Sequence, residues 1–194
     1  MSLGETAEGV RPGKRGFPAV DAYRRLKLIV FDVDGVLTDG RIIHDANGVE
    51  SKFFDVRDGA GMTFIRFADL MIGIITGRSS PVVDVRAREL KVPPERVKQG
   101  AIEKLPVFEQ MMKDANVSAS ETAYVGDDLI DLPVLEVAGL ACCVGDAHAD
   151  VMAVSHVISS KPGGRGGVRQ ICEHILKRRD DGSWEKAMGR YLKR

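Results

Sequence analysis

Short apolar runs that stop abruptly at polar residues, each followed by a stretch of helical periodicity, constrain the fold of this chain more than any other feature. Residues 26–31 are, apart from Lys27, apolar and partly β-branched, and they end at Asp32. Residues 71–75 end at Thr76-Gly77-Arg78, and 122–125 end at Gly126-Asp127-Asp128. Further runs lie at 140–144 and 156–158, the second read as an edge strand, with a weaker one at 96–98. Continuous apolar runs of this length fit strands buried on both faces. Helical spacing recurs between and after them at 60–70, 80–90, 102–115, 129–138, 147–154 and 168–177. Pro81 suits the first turn of its helix. Alternating strands and helices predict an α/β, Rossmann-like three-layer fold, a parallel sheet with helices on both faces. Ligands of such sheets bind at the carboxyl ends of the strands, where the polar residues fall.

One segment breaks the alternation. Residues 40–44 and 49–54 flank Asp45-Ala46-Asn47-Gly48, and Asn-Gly supplies the positive φ of a tight turn. A β-hairpin projecting just after the first strand is expected. Residues 1–18 carry Gly, Pro and charges with almost no apolar pattern, which predicts a flexible N-terminal extension. The domain is expected over 19–178, opening on a short helix near Ala19, with 179–194 as a C-terminal tail.

Composition excludes several functions. A chain of 194 residues suits one α/β domain. Its 28 acidic and 28 basic side chains cancel, so no global field favours nucleic acid and an anion must be bound locally. No apolar stretch is long enough to span a membrane, and no apolar segment follows the first charges as in a signal peptide. Cys142, Cys143 and Cys172 have no metal-type spacing and read as buried thiols in a reducing, cytoplasmic setting.

Four groups of residues carry the chemistry. Asp32 and Asp34 lie on one side at the end of the first strand, and two such close carboxylates repel unless a cation or proton lies between them. Thr76 and the Gly77 amide can hold phosphate oxygens, and Arg78 can fork onto a second anionic group. Lys104 opens a helix, where the dipole disfavours a cation, so an anionic partner is suggested. Asp127, Asp128 and Asp131 follow the strand at 122–125; a capping role accounts for one acid better than for three. These groups converge on one sheet edge. Carboxylates favour a hard cation such as Mg2+, which takes one or two of them plus a substrate phosphate. Thr76 and Lys104 then balance phosphate charge, Asp32 is left as nucleophile, and Asp34 can protonate the leaving oxygen and later activate water.

The segment Asp32-Val33-Asp34-Gly35-Val36-Leu37-Thr38-Asp39 resembles the first motif of the haloacid dehalogenase superfamily. Thr76, Lys104 and Gly126-Asp127-Asp128 match its second, third and fourth motifs in order. The resemblance implies catalysis by Asp32 and Asp34, magnesium held by Asp32, the main-chain carbonyl of Asp34, and Asp127, and Asp131 supporting the site rather than binding the metal directly. A narrower resemblance, over roughly residues 20–178, is to the 3-deoxy-D-manno-octulosonate 8-phosphate (Kdo-8-phosphate) phosphatases. It rests on the segments 34–40, 54–59, 75–79, 99–100 and 162–169. Glu103, Gly167 and Gln170 depart from that pattern. The family implies a cap-less fold, a homotetramer with hairpin contacts, and a role in lipopolysaccharide precursor biosynthesis. It also implies a small anionic sugar-phosphate substrate whose carboxylate needs a second cationic site. Arg57, Arg78 and Arg165 are the candidates. The glycines around Arg165 suggest either a mobile segment closing over a site or a plain flexible linker.

Three other readings compete. One is a phosphatase of another sugar acid, such as a nonulosonate 9-phosphate. A receiver domain also combines Asp, Thr, Lys and magnesium, but its phosphorylated Asp follows a later strand. The third is a non-catalytic oligomeric scaffold.

Overall fold

Strands form where apolar runs can be buried from both sides. The computed structural model describes Thr6 and residues 9–193. In chain order these contain β1 (Val10–Pro12), α1 (Val20–Arg25), β2 (Leu28–Phe31), β3 (Ile43–His44), β4 (Glu50–Ser51), α2 (Val56–Phe67) and β5 (Met71–Ile75). There follow α3 (Pro81–Glu89), β6 (Val97–Lys98), α4 (Lys104–Asp114), β7 (Thr122–Gly126), α5 (Leu132–Val137) and β8 (Leu140–Cys143). The chain continues through α6 (Ala149–Val154), β9 (Val157–Ser159), α7 (Gly167–Arg178) and α8 (Ser183–Tyr191). Every residue of β2, β7 and β8 is buried, as their unbroken apolar character requires.

The main sheet runs β1-β9-β8-β7-β2-β5-β6 and is parallel except at β1. The chain moves one way from β2 through β5 to β6, then crosses back to β7 and on through β8 to β9. Right-handed crossovers place α2 and α3 on one face and α4, α5 and α6 on the other. The packing agrees: α2 contacts α7 and α8, while α5 contacts α4 and α6. This is the three-layer α/β arrangement expected, and the chain reverses direction beside β2. The hairpin β3–β4 also forms, with Asp45 Oδ1 accepting from the Asn47 and Val49 amides at 2.8 Å.

Several boundaries differ from expectation. Residues 10–12, expected in a flexible extension, form β1 and pair antiparallel with β9 through Val10, Arg11 and Pro12. Proline suits such an edge strand because it donates nothing to a further neighbour. β9 is therefore interior rather than the sheet edge. Residues 1–5, 7 and 8 of that expected extension lie outside the described residues. The expected tail contains α8, which lays Trp184 and Tyr191 edge-on against Phe64 of α2, with ring centroids 5.7 and 4.8 Å apart. The helix expected at 129–138 splits into a 3-10 turn, Leu129–Asp131, and α5. Pro133 lies in the first turn of α5, where its missing N–H costs no bond.

The glycine-rich segment is neither a loose linker nor a raised flap. A Cβ on Gly163 would lie 1.7 Å from the Gly35 carbonyl oxygen, and one on Gly164 would lie 2.5 Å from the Thr38 carbonyl carbon. Glycine lets this backbone press against the loop after β2. The Gly164 amide donates to Val36 O at 3.0 Å, and Gly166 and Arg169 amides donate to the buried Asp58 carboxylate at 3.1 and 2.8 Å.

Candidate active site

The sheet places its reactive residues by continuing strand pairing one step past the strand ends. The Asp32 amide donates to Val125 O at 3.0 Å, which sets Asp32 beside the end of β7. The Thr76 amide donates to Lys98 O at 2.9 Å, and the Ala101 amide to Thr76 O at 3.0 Å. These bonds draw the turn after β5 toward the start of α4. The result is a cleft of about 290 Å³ at the carboxyl edge, lined by Asp32, Asp34, Thr76, Gly77, Arg78 and Asp127, among others.

Lys104 lies beneath it. Its side chain is fully buried, with Nζ 2.9 Å from Asp32 Oδ1 and 2.7 Å from Asp131 Oδ1. Charged ammonium groups are buried this way only when paired. Asp131 spends all its acceptor capacity on framework. Oδ1 takes bonds from Lys104 and from the Tyr124 hydroxyl at 2.7 Å, and Oδ2 from the Asp127 and Asp128 amides at 2.9 and 3.2 Å. A carboxylate offers about four lone-pair sites, so none is left over.

Not every acid at the cleft is equally free to hold a cation. Oxygen atoms of Asp32, Asp127 and Asp131 lie within 4.8 Å of one another. Asp131 is saturated, whereas Asp127 Oδ1 is buried without a hydrogen-bond partner. Asp32 and Asp127 are thus the side chains suited to a shared cation. Gly35 makes room for the arrangement: its φ is +94°, and a Cβ there would sit 2.0 Å from Asp127 Oδ2.

Electrostatics agree. Burial, opposed by Lys104 and reinforced by Asp131, pushes the Asp32 carboxyl up to about 6. Burial, then repulsion from Asp32 and Asp131, pushes Asp127 up to about 8. Burial works against the Lys104 charge, but Asp32 and Asp131 outweigh it and its pKa rises. Without a cation the folded site binds protons more tightly than the unfolded chain does. Stability of the metal-free protein should therefore fall as pH rises from about 4 toward 8. Thermal unfolding in chelator at pH 5 and pH 8 checks the sign, and added Mg2+ should restore most of the loss at pH 8. A metal-free melting temperature higher at pH 8 would contradict it.

Of the three arginines, Arg78 alone lines the cleft. Its Nη2 lies 2.8 Å from Glu50 Oε1 and its Nε 4.0 Å from Asp34 Oδ2. Arg57 pairs with Asp55 and donates to the Arg165 carbonyl at 3.2 Å, while Arg165 lies 3.4 Å from Asp39. Neither lines the cleft of its own chain; Arg57, on α2, and Arg165, in the glycine segment, meet each other beside it. The sequence reading missed Lys52. Its side chain is only 2% exposed, and its ammonium pairs with Asp34 Oδ1. Glu50 and Lys52 share one side of the hairpin strand by period-two alternation, which was the available signal.

The fold and site define a class before any comparison: an α/β, Rossmann-like domain whose carboxylates, lysine and hydroxyl are suited to a phosphate and a hard cation. A haloacid dehalogenase-like hydrolase family model matches residues 96–171. The 3-deoxy-D-manno-octulosonate 8-phosphate phosphatase KdsC of Escherichia coli K12 is 40% identical over 151 residues, covering 78% of this chain and 79% of the relative. That of Haemophilus influenzae is 40% identical over 153 residues, covering 78% and 83%. A crystal structure of the Moraxella catarrhalis phosphatase, in complex with magnesium, phosphate and Kdo, superposes with a TM-score of 0.83 at 37% identity. It covers 89% of this chain and 97% of the other. The chain belongs to the haloacid dehalogenase-like hydrolases and, within them, to the family of the 3-deoxy-D-manno-octulosonate 8-phosphate phosphatases.

Proposed function

We propose that this chain hydrolyses Kdo-8-phosphate to Kdo and inorganic phosphate through an aspartyl-phosphate on Asp32. The observation that carries the reading is the convergence of Asp32, Asp127 and Thr76 at one cleft, with Lys104 paired to Asp32 beneath it, in a chain 40% identical to such phosphatases. Asp32 attacks phosphorus while the bond to the sugar oxygen breaks, and Asp34 gives that oxygen its proton. Asp34 then takes a proton from water, which attacks phosphorus and frees both the Asp32 carboxylate and phosphate. Thr76, the Gly77 amide and Lys104 hold the phosphoryl oxygens. Mg2+, held by Asp32, Asp127 and the Asp34 carbonyl, supplies charge neutralisation and orientation. Arg78 receives the sugar carboxylate. Arg57 and Arg165 receive no role within their own cleft.

Enclosure of the open cleft is assigned to neighbouring subunits of a closed oligomer, a tetramer by family resemblance. Ile42, Val49, Phe53 and Val56 support it: these apolar side chains on and after the hairpin are 59–79% exposed in the single chain. Among the described residues no helix is long and apolar enough to cross a membrane. The reaction would supply free Kdo for lipopolysaccharide precursors.

Phosphate release from Kdo-8-phosphate and from a nine-carbon nonulosonate 9-phosphate, each with Mg2+ and with chelator, tests the reading. The expected result is Mg2+-dependent turnover at least tenfold faster in kcat/KM on the eight-carbon substrate. Equal or reversed rates would assign another sugar acid.

A further inference from the structure

We infer that Lys52 of the hairpin is a positioning residue for Asp34, making the hairpin a working part of the active site of its own chain. The observation is a closed ring of alternating charges. Lys52 pairs with Asp34 Oδ1 and lies 3.5 Å from Glu50 Oε1; Arg78 lies 2.8 Å from the same Glu50 oxygen and 4.0 Å from Asp34 Oδ2. The ring joins three separate stretches of chain: the loop after β2, the end of the hairpin and the turn after β5.

Burial gives the ring direction. The Lys52 side chain is 2% exposed, against 13% for Glu50, 22% for Asp34 and 42% for Arg78. A surface hairpin would ordinarily leave a lysine head in water. Here the ammonium is withdrawn from solvent between two carboxylates, an arrangement that holds only while both partners remain in place.

The two oxygens of Asp34 are thereby given different tasks. Oδ1 is tied to Lys52. Oδ2 is buried and has no hydrogen-bond partner, so it is the oxygen available for proton exchange with the leaving group. Asp34 lies on the loop after β2, immediately before Gly35, and the hydrogen bond from the Lys52 ammonium is what fixes the rotation of its side chain. Lys52 therefore acts through Asp34 rather than on the substrate.

This inference rests on the proposed acid role of Asp34, and the test separates the two. The proton from Asp34 Oδ2 matters for a poor leaving group such as a sugar alkoxide and little for an activated aryl oxide. Values of kcat/KM, which report the first phosphoryl transfer, are measured with an alkyl sugar phosphate and with p-nitrophenyl phosphate. Lys52→Met should lose at least tenfold on the alkyl ester and under threefold on the aryl ester. Lys52→Arg, which keeps the charge, should recover most of the alkyl activity. A uniform fall on both esters would reduce the hairpin lysine to scaffolding, and no fall would remove it from the site. Asp34→Ala run alongside must show the same leaving-group split. If it does not, the acid assignment fails; if it does and Lys52→Met does not, this inference alone fails.

Discussion

Asp32→Asn is expected to abolish turnover, by at least about 10^4-fold in kcat, while leaving a folded protein. The amide cannot attack phosphorus, and it offers no full negative charge to a cation shared with Asp127. The fold should survive because Lys104 keeps Asp131 at 2.7 Å, and Asp131 keeps its other three bonds. Removing one buried carboxylate also removes the repulsion that raises Asp127. Metal-free Asp32→Asn should therefore unfold at a temperature equal to or above that of the parent at pH 8. Steady-state phosphate release with saturating Mg2+, paired with thermal unfolding, checks both statements. Activity within tenfold of the parent would remove Asp32 as the nucleophile.

Lys104→Met should damage both stability and rate. Methionine fills a similar volume but leaves Asp32 and Asp131 buried without their shared cation. Breaking a buried pair by deleting one partner costs about 3–5 kcal/mol. The rate should fall about 10^2–10^3-fold, as when a fixed electrostatic contact to a developing charge is lost. The stability loss has a definite pH sign. With Lys104 gone, burial and the neighbouring acid are opposed only by the hydrogen bond from the Val33 amide, so the Asp32 carboxyl rises beyond its already elevated position. Protonation then relieves the buried charge at low pH. The difference in unfolding free energy between variant and parent should be smaller at pH 5 than at pH 8. Denaturant unfolding at the two values, with chelator present, measures it. A pH-independent difference would mean that the ammonium is not what holds these carboxylates.

The parts of the molecule legible in the sequence were those whose physics is local. Leu28–Phe31 and Thr122–Gly126 could only be strands buried on both faces, and the residues ending them had to meet at one edge of a parallel sheet. Asn47-Gly48 marked the hairpin. What escaped depended on distant partners. Val10–Pro12 is too short to show a period and becomes a strand only because β9 offers an unpaired edge. In α8, Trp184, Ala187, Met188 and Tyr191 follow helical spacing, yet the helix is held by packing on Phe64, which the local pattern does not reveal. The glycine segment looked loose because glycine is permissive alone, whereas here it serves close approach to the loop after β2. Lys52 was hidden for a related reason. A charged residue on a hairpin reads as solvated until the hairpin is seen folded back over Asp34. Asp131 was legible only as a supporting acid of its motif; of the partners that give it that supporting place, Tyr124 and two amides lie close by in the chain, but Lys104 comes from across the fold.

A crystal structure with Mg2+ and beryllium trifluoride, which bonds to a carboxylate as phosphoryl does, tests the nucleophile most directly. The expected density is a single adduct on a carboxylate oxygen of Asp32, with its fluorines on Thr76 and Lys104 and the cation between Asp32 and Asp127. An adduct on Asp34 or Asp127, or a cation seated away from the Asp32 carboxylate, would contradict it.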